Sequence, residues 1–504
     1  MDVTLAQPLP QRRGLPAPLL LWSVVLLGVL GLTVQRLWLL RDLPLWLDET
    51  WTAIIVSQTS WSSFWREAWL DCNPPLYYAF MAVWTEVAGV SNHALRAPSL
   101  LFVGLAAIVP VLWKAPGLTR DARLAWGALI FLWWPGVVVS VDARGYAMLL
   151  FISAAQAVAF AGLLQSPTTR KAAIWAALAS AAVLTHYYAL YVAAVQGLLY
   201  LYEHRLRAVR TWPAVLAFAP AFGWLLYHLP RLADYARPDV AWYGRVRPLE
   251  TVAHLAYVFG ASTIAFLLCA AAGLVASIAL RRGQDQAAAA PDTASRHLWL
   301  TAASGILALL LAWAIGMLRP TLAERYLTPI VPLALLGIVL AVRRLHGTTS
   351  AYAALVAIYL VGSATPQAHQ ARTERRNIYG YERASEFLMR ARPDRLAFTW
   401  DHPAAKILDR GSIRQIGGFF FDRAGHDVET IPVVIPRRQD PNRLLLAQAT
   451  GERPAILWLY NTSRASAARR FPPRIDQRPG WRCLHERDGP IGVVACAPAA
   501  LFGR

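Results

Sequence analysis

Charged side chains are scarce over most of this sequence, and lysine is almost absent. Charged residues make up 16% of the 504 residues, and they are much sparser before about residue 363 than after it. An ordinary soluble domain of that length would need many more surface charges, so this class is excluded for the first part of the chain. The change in composition near residue 363 is typical of a membrane domain followed by a soluble one. Lysine occurs only at positions 114, 171 and 406, so the net charge of +19 comes almost entirely from arginine.

Recognisable motifs of two other classes are missing as well. No RNA- or DNA-binding motif accompanies the positive charge, so we expect no nucleic-acid partner. The 4 cysteines and 11 histidines have no spacing that resembles a zinc site. Much of the excess arginine lies in short loops between apolar runs, where it indicates orientation in a membrane.

Long apolar runs fill the first part of the chain and predict about eleven transmembrane helices. Roughly 20 apolar residues suffice for a helix to cross a bilayer. The predicted spans are residues 18–40, 97–113, 123–140, 145–164, 173–186, 188–202, 212–229, 251–280, 297–318, 327–342 and 350–363. The first span is expected to be a retained anchor, because no Ala-x-Ala-like cleavage site follows it.

The loops between these spans alternate in charge. Arginine and lysine clusters occur in every second loop, ending with Arg343 and Arg344, and the positive-inside rule makes that side cytoplasmic. We therefore predict a multi-pass protein of a bacterial inner membrane, with a cytoplasmic amino terminus and a periplasmic carboxyl-terminal domain. The periplasmic side then receives a group of polar residues at span ends, namely Asp48, Glu49, Asp142, Arg144, His186 and Arg325.

The segment 41–96 is predicted to be one outer loop that carries interfacial helices. Residues 75–90 are apolar but short for a span, and a crossing there would reverse the charge pattern of all later loops. The preceding stretch, 50–70, is rich in tryptophan, which favours the membrane interface.

The tail, residues 364–504, predicts a small basic α/β domain. Helices are predicted over 381–392, 403–409 and 441–450, and strands over 395–400 and 455–460. Residues 481–486 and 491–497 flank a turn signal and predict a hairpin. Cys483 and Cys496 lie at equal distances from that turn, so they could form a disulfide in an oxidising compartment or remain buried thiols.

Acidic residues directly after the first span point to chemistry at the membrane surface. Asp48 and Glu49 are costly at a membrane edge unless they bind water, a metal or a substrate. Transfer of a sugar from a lipid phosphate to a hydroxyl needs a base, which a carboxylate can supply. It also needs positive charge to stabilise the departing phosphate, and arginine binds phosphate in a bidentate manner. The arginines predicted at the outer span ends are Arg96, Arg144 and Arg325.

Six segments resemble the signature segments of GT-C membrane glycosyltransferases. The most similar branch contains the protein O-mannosyltransferases and the bacterial lipid A aminoarabinose transferases. The segments, in order over residues 1 to about 345, are Leu-Asp48-Glu49-Thr-Trp-Thr-Ala, Asn73-Pro-Pro-Leu-Tyr-Tyr78, Ala-Leu-Arg96-Ala-Pro-Ser99, Asp142-Ala-Arg144-Gly-Tyr146-Ala, His186-Tyr-Tyr188 and Glu324-Arg325-Tyr326-Leu-Thr-Pro. The resemblance implies an all-α polytopic domain over residues 1–363, with the α/β domain of 364–504 attached to it.

The resemblance also implies a polyprenyl-phosphate-linked sugar donor and roles for individual residues. Asp48 matches the catalytic acid of the family and Glu49 is its neighbour. Asp142 matches a second acid that could hold a divalent cation, magnesium or manganese, together with Asp48. The residues expected to bind substrate are Asn73, Tyr78, Arg96, Asp142, Arg144, Tyr146, His186, Arg325 and Tyr326. Asn73 departs from the family, which commonly has histidine or lysine there, so one cationic contact to the donor phosphate is missing or comes from another arginine.

The resulting hypothesis is an inverting glycosyltransferase with a lipid, glycan or protein acceptor. A polytopic lipid or sugar transporter or flippase is the alternative, but ion-coupled transporters place charges near mid-membrane, and the predicted spans contain almost none. A non-catalytic scaffold would leave the acidic pair unexplained. Individual residues also have plainer interpretations: Arg144 could anchor a span end, Arg325 could pair with Glu324, and the tyrosines could form an interfacial belt.

Overall fold

The computed structural model describes residues 17–40, 43–237, 239–240, 244–260, 293–345, 348–376, 380–436, 439–461, 473–488 and 491–503. Within these ranges the membrane part is helical. In chain order they are α1 (Ala17–Leu40), α2 (Leu47–Val56), α3 (Trp61–Leu70), α4 (Leu76–Ala88), α5 (Asn92–Leu112), α6 (Arg120–Leu132), α7 (Gly136–Val139), α8 (Tyr146–Gln165), α9 (Thr169–Thr185), α10 (Ala189–His204), α11 (Ala219–Tyr235), α12 (Glu250–Phe259), α13 (Thr293–Leu318), α14 (Val331–Leu345) and α15 (Thr349–Arg376).

Within the described ranges, six helical stretches are long and apolar enough to cross a membrane. They are Asn92–Leu112, Tyr146–Gln165, Ala189–Tyr235, Thr293–Leu318, Glu324–Arg344 and Thr349–His369. Shorter or less apolar helices occupy the other predicted spans, and residues 261–280 of the predicted span 251–280 lie outside the described residues. The presence of helices is thus confirmed, and the number of crossings stays a prediction.

Two predicted spans are interrupted by proline. The predicted helix 123–140 ends at Leu132, and α7 follows as a single turn after Pro135. Proline lacks an N–H donor and disfavours helical geometry in the residue before it, which explains the break. In the predicted span 212–229, a 3₁₀ segment, Arg205–Phe218, contains Pro213 and leads into α11. The break after α6 matters for function, because α7 leads directly into the loop that carries Asp142 and Arg144.

The outer loop contains three short helices, as its tryptophan-rich pattern predicted. Helices α2 and α3 have 10 residues each and α4 has 13, too few to cross a bilayer. Close packing of helices in the membrane part depends on small residues. At Gly127 of α6, an added Cβ would lie 2.2 Å from the carbonyl oxygen of Ala107 in α5, so only glycine fits this contact.

The carboxyl-terminal part is a five-stranded sheet with helices, in the order β2-β1-β3-β5-β4. Strand β1 pairs in parallel with β2 and β3, while β3, β5 and β4 are antiparallel. The elements are α16 (Gly380–Met389), β1 (Arg395–Asp401), α17 (Arg410–Arg423), β2 (Glu429–Pro432), α18 (Pro441–Gln448), β3 (Pro454–Asn461), β4 (Trp481–Asp488) and β5 (Ile491–Pro498). The predicted hairpin and the strands β1 and β3 are confirmed.

Two elements of this domain escaped the sequence analysis. Helix α17 contains Gly417 and Gly418, which are helix-breaking residues in an isolated pattern. In the fold, Gly417 packs on β1 so closely that an added Cβ would lie 2.4 Å from the ring of Phe398. Tertiary packing therefore overrides the low helix propensity. Strand β2 has four residues and was too short to recognise. The predicted helix 403–409 is a 3₁₀ turn, Pro403–Ile407.

Cys483 and Cys496 lie opposite each other on β4 and β5 and form a disulfide, with their Cα atoms 4.2 Å apart. Of the two alternatives that the sequence left open, the structure has the bridge. Within the described residues the remaining free cysteine is Cys72.

The soluble domain is fixed to the outer loop by buried polar contacts and a shared apolar core. Glu382 of α16 accepts hydrogen bonds from the backbone N–H of Leu45 and from Asn92 Nδ2, the latter at 3.1 Å. Arg231 donates to the carbonyl oxygens of Leu70 and Ile407, at 2.9 and 3.0 Å. Apolar residues of α2 and of the sheet belong to one buried cluster. The domain therefore covers the loop that carries the acidic pair.

Candidate active site

Helix α2 places Asp48 and Glu49 in its first turn. Carboxylates are favourable there because the helix dipole is positive at its amino-terminal end. The two side chains, however, have different surroundings. Glu49 is 1% exposed, whereas the Asp48 side chain is 25% exposed. Only Asp48 is therefore open to a substrate.

Glu49 is buried in an ion pair with Arg96 of α5. Its Oε1 accepts from Arg96 Nε at 2.7 Å and from the Ala143 N–H at 2.8 Å, and its Oε2 accepts from Arg96 Nη2. Arg96 also donates to the carbonyl oxygens of Leu43 and Pro44. These contacts fix the loops that precede α2 and α8. The structure brings neither side chain to the pocket described below, so the pair holds the site together.

Asp48 lies between two arginines from distant parts of the chain. Its Oδ2 accepts a hydrogen bond from Arg325 Nη2 at 3.0 Å, and its backbone oxygen accepts from Arg144 Nη1 at 3.0 Å. Arg325 is 33% exposed and lies near the aromatic rings of Trp46, Tyr146 and Tyr326. The distances from its guanidinium carbon to the ring centroids are 5.3, 5.8 and 5.9 Å, within the range of cation–π attraction.

A chain of hydrogen bonds links Arg144 to the loop after α3. Arg144 Nη1 donates to the Tyr78 hydroxyl at 3.2 Å, and that hydroxyl donates to Asp71. Asp71 also accepts from Asn73 Nδ2, at 3.1 Å. The sequence analysis did not select Asp71, although it stands two residues before the predicted Asn73. Its position at the end of a tryptophan-rich helix, next to predicted site residues, was the signal that could have identified it.

A narrow pocket, with room for about one water molecule, lies beside Arg144. Its lining residues come from three separate segments, and five of them were predicted from the sequence. They are Asn73, Pro74, Tyr77, Tyr78, Arg144, Gly145, Tyr146, Thr185 and His186. Tyr326 contacts this group through His186, with ring centroids 4.7 Å apart. The pocket lining thus combines an arginine with hydrogen-bonding aromatic groups.

His186 is a neutral hydrogen-bond donor in this pocket. Its Nδ1 accepts from the Tyr188 N–H at 3.3 Å. Because a neutral imidazole has one N–H, the proton must then be on Nε2.

Asp142 is buried behind the acidic pair and has a raised pKa. Burial and the nearby charge of Glu49 raise the pKa of its carboxyl to about 7, while a hydrogen bond of 3.1 Å from Trp46 Nε1 opposes the shift. Trp46, which the sequence analysis did not select, therefore connects Asp142 to the cation–π contact with Arg325. Asp142 orients this tryptophan beneath the arginine.

The raised pKa gives a prediction for stability. The pKa of Asp142 is higher in the folded protein than the ordinary value of about 3.9. The protonated carboxyl therefore stabilises the fold at low pH, and this contribution to the free energy of unfolding is lost as the pH rises through about 7. Asp142→Asn cannot ionise. We expect wild type to lose melting temperature relative to this variant between about pH 4 and pH 7. Thermal unfolding of both proteins in nanodiscs measures the difference, and a constant difference would contradict the raised pKa.

The donor set does not fit the divalent cation that the sequence predicted at Asp48 and Asp142. One oxygen of each carboxylate already accepts from a protein donor, Arg325 or Trp46, and the arginines around them repel a cation. Within the described part of the chain, no group of three or more His, Cys, Asp or Glu residues could hold a metal ion. The mechanism below therefore uses no metal.

Chelation tests this assignment. We expect purified protein to keep its activity within a few-fold after dialysis against excess EDTA, because the arginines supply the positive charge that a metal would otherwise provide. Loss of activity that returns on adding magnesium or manganese would restore the metal site predicted from the sequence. A parallel measurement of thermal unfolding shows whether any loss arises from the fold.

The helical membrane domain, the short outer-loop helices and the site at their junction with a small sheet domain define a GT-C fold. No protein-family model and no curated protein sequence matches the chain. Among solved structures, it is similar to ArnT from Cupriavidus metallidurans in the apo state, with a TM-score of 0.56 and 13% identity. The alignment covers 96% of this chain and 99% of that one. ArnT bound to undecaprenyl phosphate matches with a TM-score of 0.55, 14% identity and the same coverage. The resemblance in fold is confirmed, and the chain is a multi-pass membrane protein.

Proposed function

We propose that the protein is an inverting glycosyltransferase that moves a sugar from a polyprenyl-phosphate donor to a hydroxyl on the outer face of a bacterial inner membrane. The observation that carries the proposal is Asp48: its partly exposed carboxylate accepts from Arg325, and its backbone oxygen accepts from Arg144, which lines the pocket. The similar ArnT structure with bound undecaprenyl phosphate supports the donor class. The disulfide supports an oxidising compartment for the soluble domain.

The mechanism follows from these contacts. The donor phosphate binds Arg325 and Arg144, and its sugar lies against His186 and Tyr146. When the phosphate takes the Arg325 contact, Asp48 is released to accept the proton of the acceptor hydroxyl. The acceptor oxygen then attacks the anomeric carbon as the bond from that carbon to the phosphate oxygen breaks. The polyprenyl phosphate leaves as an anion that the two arginines stabilise, and a single displacement inverts the configuration.

Arg325 provides the test of donor binding. We expect Arg325→Ala to weaken undecaprenyl phosphate binding by roughly 10- to 100-fold, the usual loss for a charge-assisted hydrogen bond. Binding is measured by native mass spectrometry of protein in nanodiscs. Arg296→Ala is the matched control, because Arg296 pairs with Glu203 away from the site and is 48% exposed.

Two outcomes would contradict the proposal. Equal affinity in wild type and Arg325→Ala would remove the assigned phosphate contact. Transport of a labelled polyprenyl-phosphate sugar across vesicles, without covalent transfer, would favour the flippase alternative. Mass spectrometry of lipids, glycans and periplasmic proteins from a deletion strain identifies the sugar and the class of acceptor.

A further inference from the structure

The break between α6 and α7 leaves two buried carbonyl groups without their usual partners. In a continuous helix the carbonyl of Phe131 would accept from the N–H of residue 135, and that of Leu132 from the N–H of residue 136. Residue 135 is Pro135, which has no N–H, and the N–H of Gly136 donates to Trp133 instead, at 2.9 Å. Because an unpaired buried acceptor is costly, the end of α6 needs donors from elsewhere in the fold.

Two side chains from other helices supply these donors. Arg36 of α1 donates from Nη2 to the Phe131 oxygen at 2.9 Å, and Gln367 of α15 donates from Nε2 to the Leu132 oxygen at 2.9 Å. Both side chains are fully buried. The guanidinium carbon of Arg36 also lies 4.4 Å from the centroid of the Phe131 ring, within the range of cation–π attraction. The carbonyl end of a helix carries partial negative charge, so it stabilises a cation at this position.

The charge of Arg36 is more than the cap alone requires. Arg36 lies in the first predicted span, about one turn before α1 ends. Its Nε and Nη1 atoms have no hydrogen-bond partner among the described residues. A charged side chain within a membrane domain is costly, and those that are present usually mark a functional site. Because the neutral Gln367 satisfies the neighbouring carbonyl, the fold does not by itself explain why a charged residue is present here.

Helix α1 also contacts the segment after the break. Leu39 belongs to one buried apolar cluster with Val137 of α7 and Val141. Leu39 follows Arg36 by three residues, a spacing that places two side chains on one face of a helix. The end of α1 therefore holds the start of α7 by a polar contact and its continuation by an apolar one. Both contacts come directly before the loop that carries Arg144.

The same end of α1 leads to the segment before α2, which carries Asp48. Arg144 Nη1 donates to the backbone oxygen of Asp48 at 3.0 Å, and this hydrogen bond joins the two loops. The position of the Arg144 guanidinium relative to Asp48 thus depends on how α1 packs against the break after α6.

We infer that Arg36 is a positioning residue for the reaction, which fixes the α6–α7 break so that Arg144 is aligned with the donor phosphate beside Asp48. This inference rests on the proposed function. Arg36 does not line the pocket, so it acts through Arg144. Misplacement of a reacting or charge-stabilising group by about 1 Å can lower a rate by roughly 10²-fold, which is why a distant contact can matter for the chemistry.

The test uses full-length protein in nanodiscs, with native mass spectrometry to measure undecaprenyl phosphate binding. Sugar transfer is measured with a lipid extract as donor source and cell envelopes of a deletion strain as acceptor source. We expect Arg36→Met to weaken undecaprenyl phosphate binding roughly tenfold and to lower the maximal rate by roughly 10²-fold. Arg36→Lys retains a cationic donor and should recover part of both losses. Gln367→Leu removes the second cap without removing a charge and should weaken binding about threefold, which keeps the inference testable if Arg36→Met does not fold.

A double variant shows whether Arg36 acts through Arg144. In protein that already carries Arg144→Ala, Arg36→Met should not weaken undecaprenyl phosphate binding any further, because both changes remove one phosphate contact.

Arg123→Met is the matched control at the other end of α6. Arg123 Nη1 donates to the carbonyl oxygen of Val111 in α5 at 2.7 Å, so this variant also removes a contact from an arginine to a helix carbonyl. We expect Arg123→Met to bind undecaprenyl phosphate and to transfer sugar within about twofold of wild type, whatever its melting temperature. Thermal unfolding of both arginine variants separates loss of stability from loss of alignment.

The outcomes are distinguishable from failure of the proposed function. If wild type neither binds undecaprenyl phosphate nor transfers sugar, the proposed function fails. If wild type does both and Arg36→Met keeps wild-type binding and rate, the inference fails alone. Equal losses of binding in Arg36→Met and Arg123→Met would show general damage to the fold and overturn the positioning role. Additive losses from Arg36→Met and Arg144→Ala would mean that Arg36 acts independently of Arg144, which would also overturn it.

Discussion

Asp48→Asn is expected to abolish nearly all sugar transfer while the protein stays folded and binds its donor. Asparagine keeps the size of the side chain and can still contact Arg325, but it cannot accept the proton of the acceptor hydroxyl. The maximal rate should fall by roughly 10²- to 10⁴-fold, the usual contribution of a positioned general base. Undecaprenyl phosphate affinity should change little, because Arg325 and Arg144 remain.

Two measurements make this result interpretable. Transfer is assayed with protein in nanodiscs at matched amounts, after thermal unfolding has shown an unchanged fold. Asp121→Asn is the control, because this partly exposed carboxylate accepts a hydrogen bond from Thr349 at a distance from the site. Activity of Asp48→Asn within a few-fold of wild type would refute Asp48 as the base. Asp142, with its pKa near 7, would then be the next candidate.

Much of the site was predictable because the sequence places its polar residues at the ends of apolar runs. Asp48, Arg144 and Arg325 are separated by large distances in sequence, and only the topology of the spans assigned them to one face. The structure brings all three together: the Asp48 carboxylate accepts a hydrogen bond from Arg325, and the Asp48 backbone oxygen accepts one from Arg144. Tyr78, Tyr146 and His186 line one pocket for the same reason. Polar and charged side chains are costly to place in a membrane, so each such residue is conspicuous beside an apolar run.

What the sequence could not reveal is which of two adjacent carboxylates is buried. The hydrophobic pattern of the sequence does not distinguish Asp48 from Glu49. They differ in burial because Arg96 of α5 pairs with Glu49. The contact of the soluble domain with α2 was hidden for a similar reason. Trp400 lies in an ordinary strand, and its contact with Trp51 depends on docking between two domains. Asp71 and Trp46 act through other side chains, which spacing alone does not show.

The contrast between the two carboxylates leads to the second large effect, a loss of stability in Glu49→Ala. This change leaves Arg96, which is 1% exposed, as a buried charge without its partner. Removing one member of a buried ion pair typically costs about 3–5 kcal/mol in the free energy of unfolding. We therefore expect Glu49→Ala to melt at a much lower temperature and to accumulate poorly in membranes. Asp48→Asn, in a partly exposed pair, should cost at most about 1 kcal/mol.

A double variant identifies the cause of that loss. Glu49→Leu with Arg96→Met replaces both charges by apolar side chains, so it should be more stable than either single change. Thermal unfolding in nanodiscs compares wild type, Glu49→Leu, Arg96→Met and the double variant. The Asp48→Asn variant serves as the comparison for the neighbouring carboxylate. If Glu49→Ala melted like wild type but transferred no sugar, Glu49 would have a chemical role. Such a result would mean that Arg96 is satisfied by the backbone carbonyls of Leu43 and Pro44 alone, leaving Glu49 free to act in the reaction.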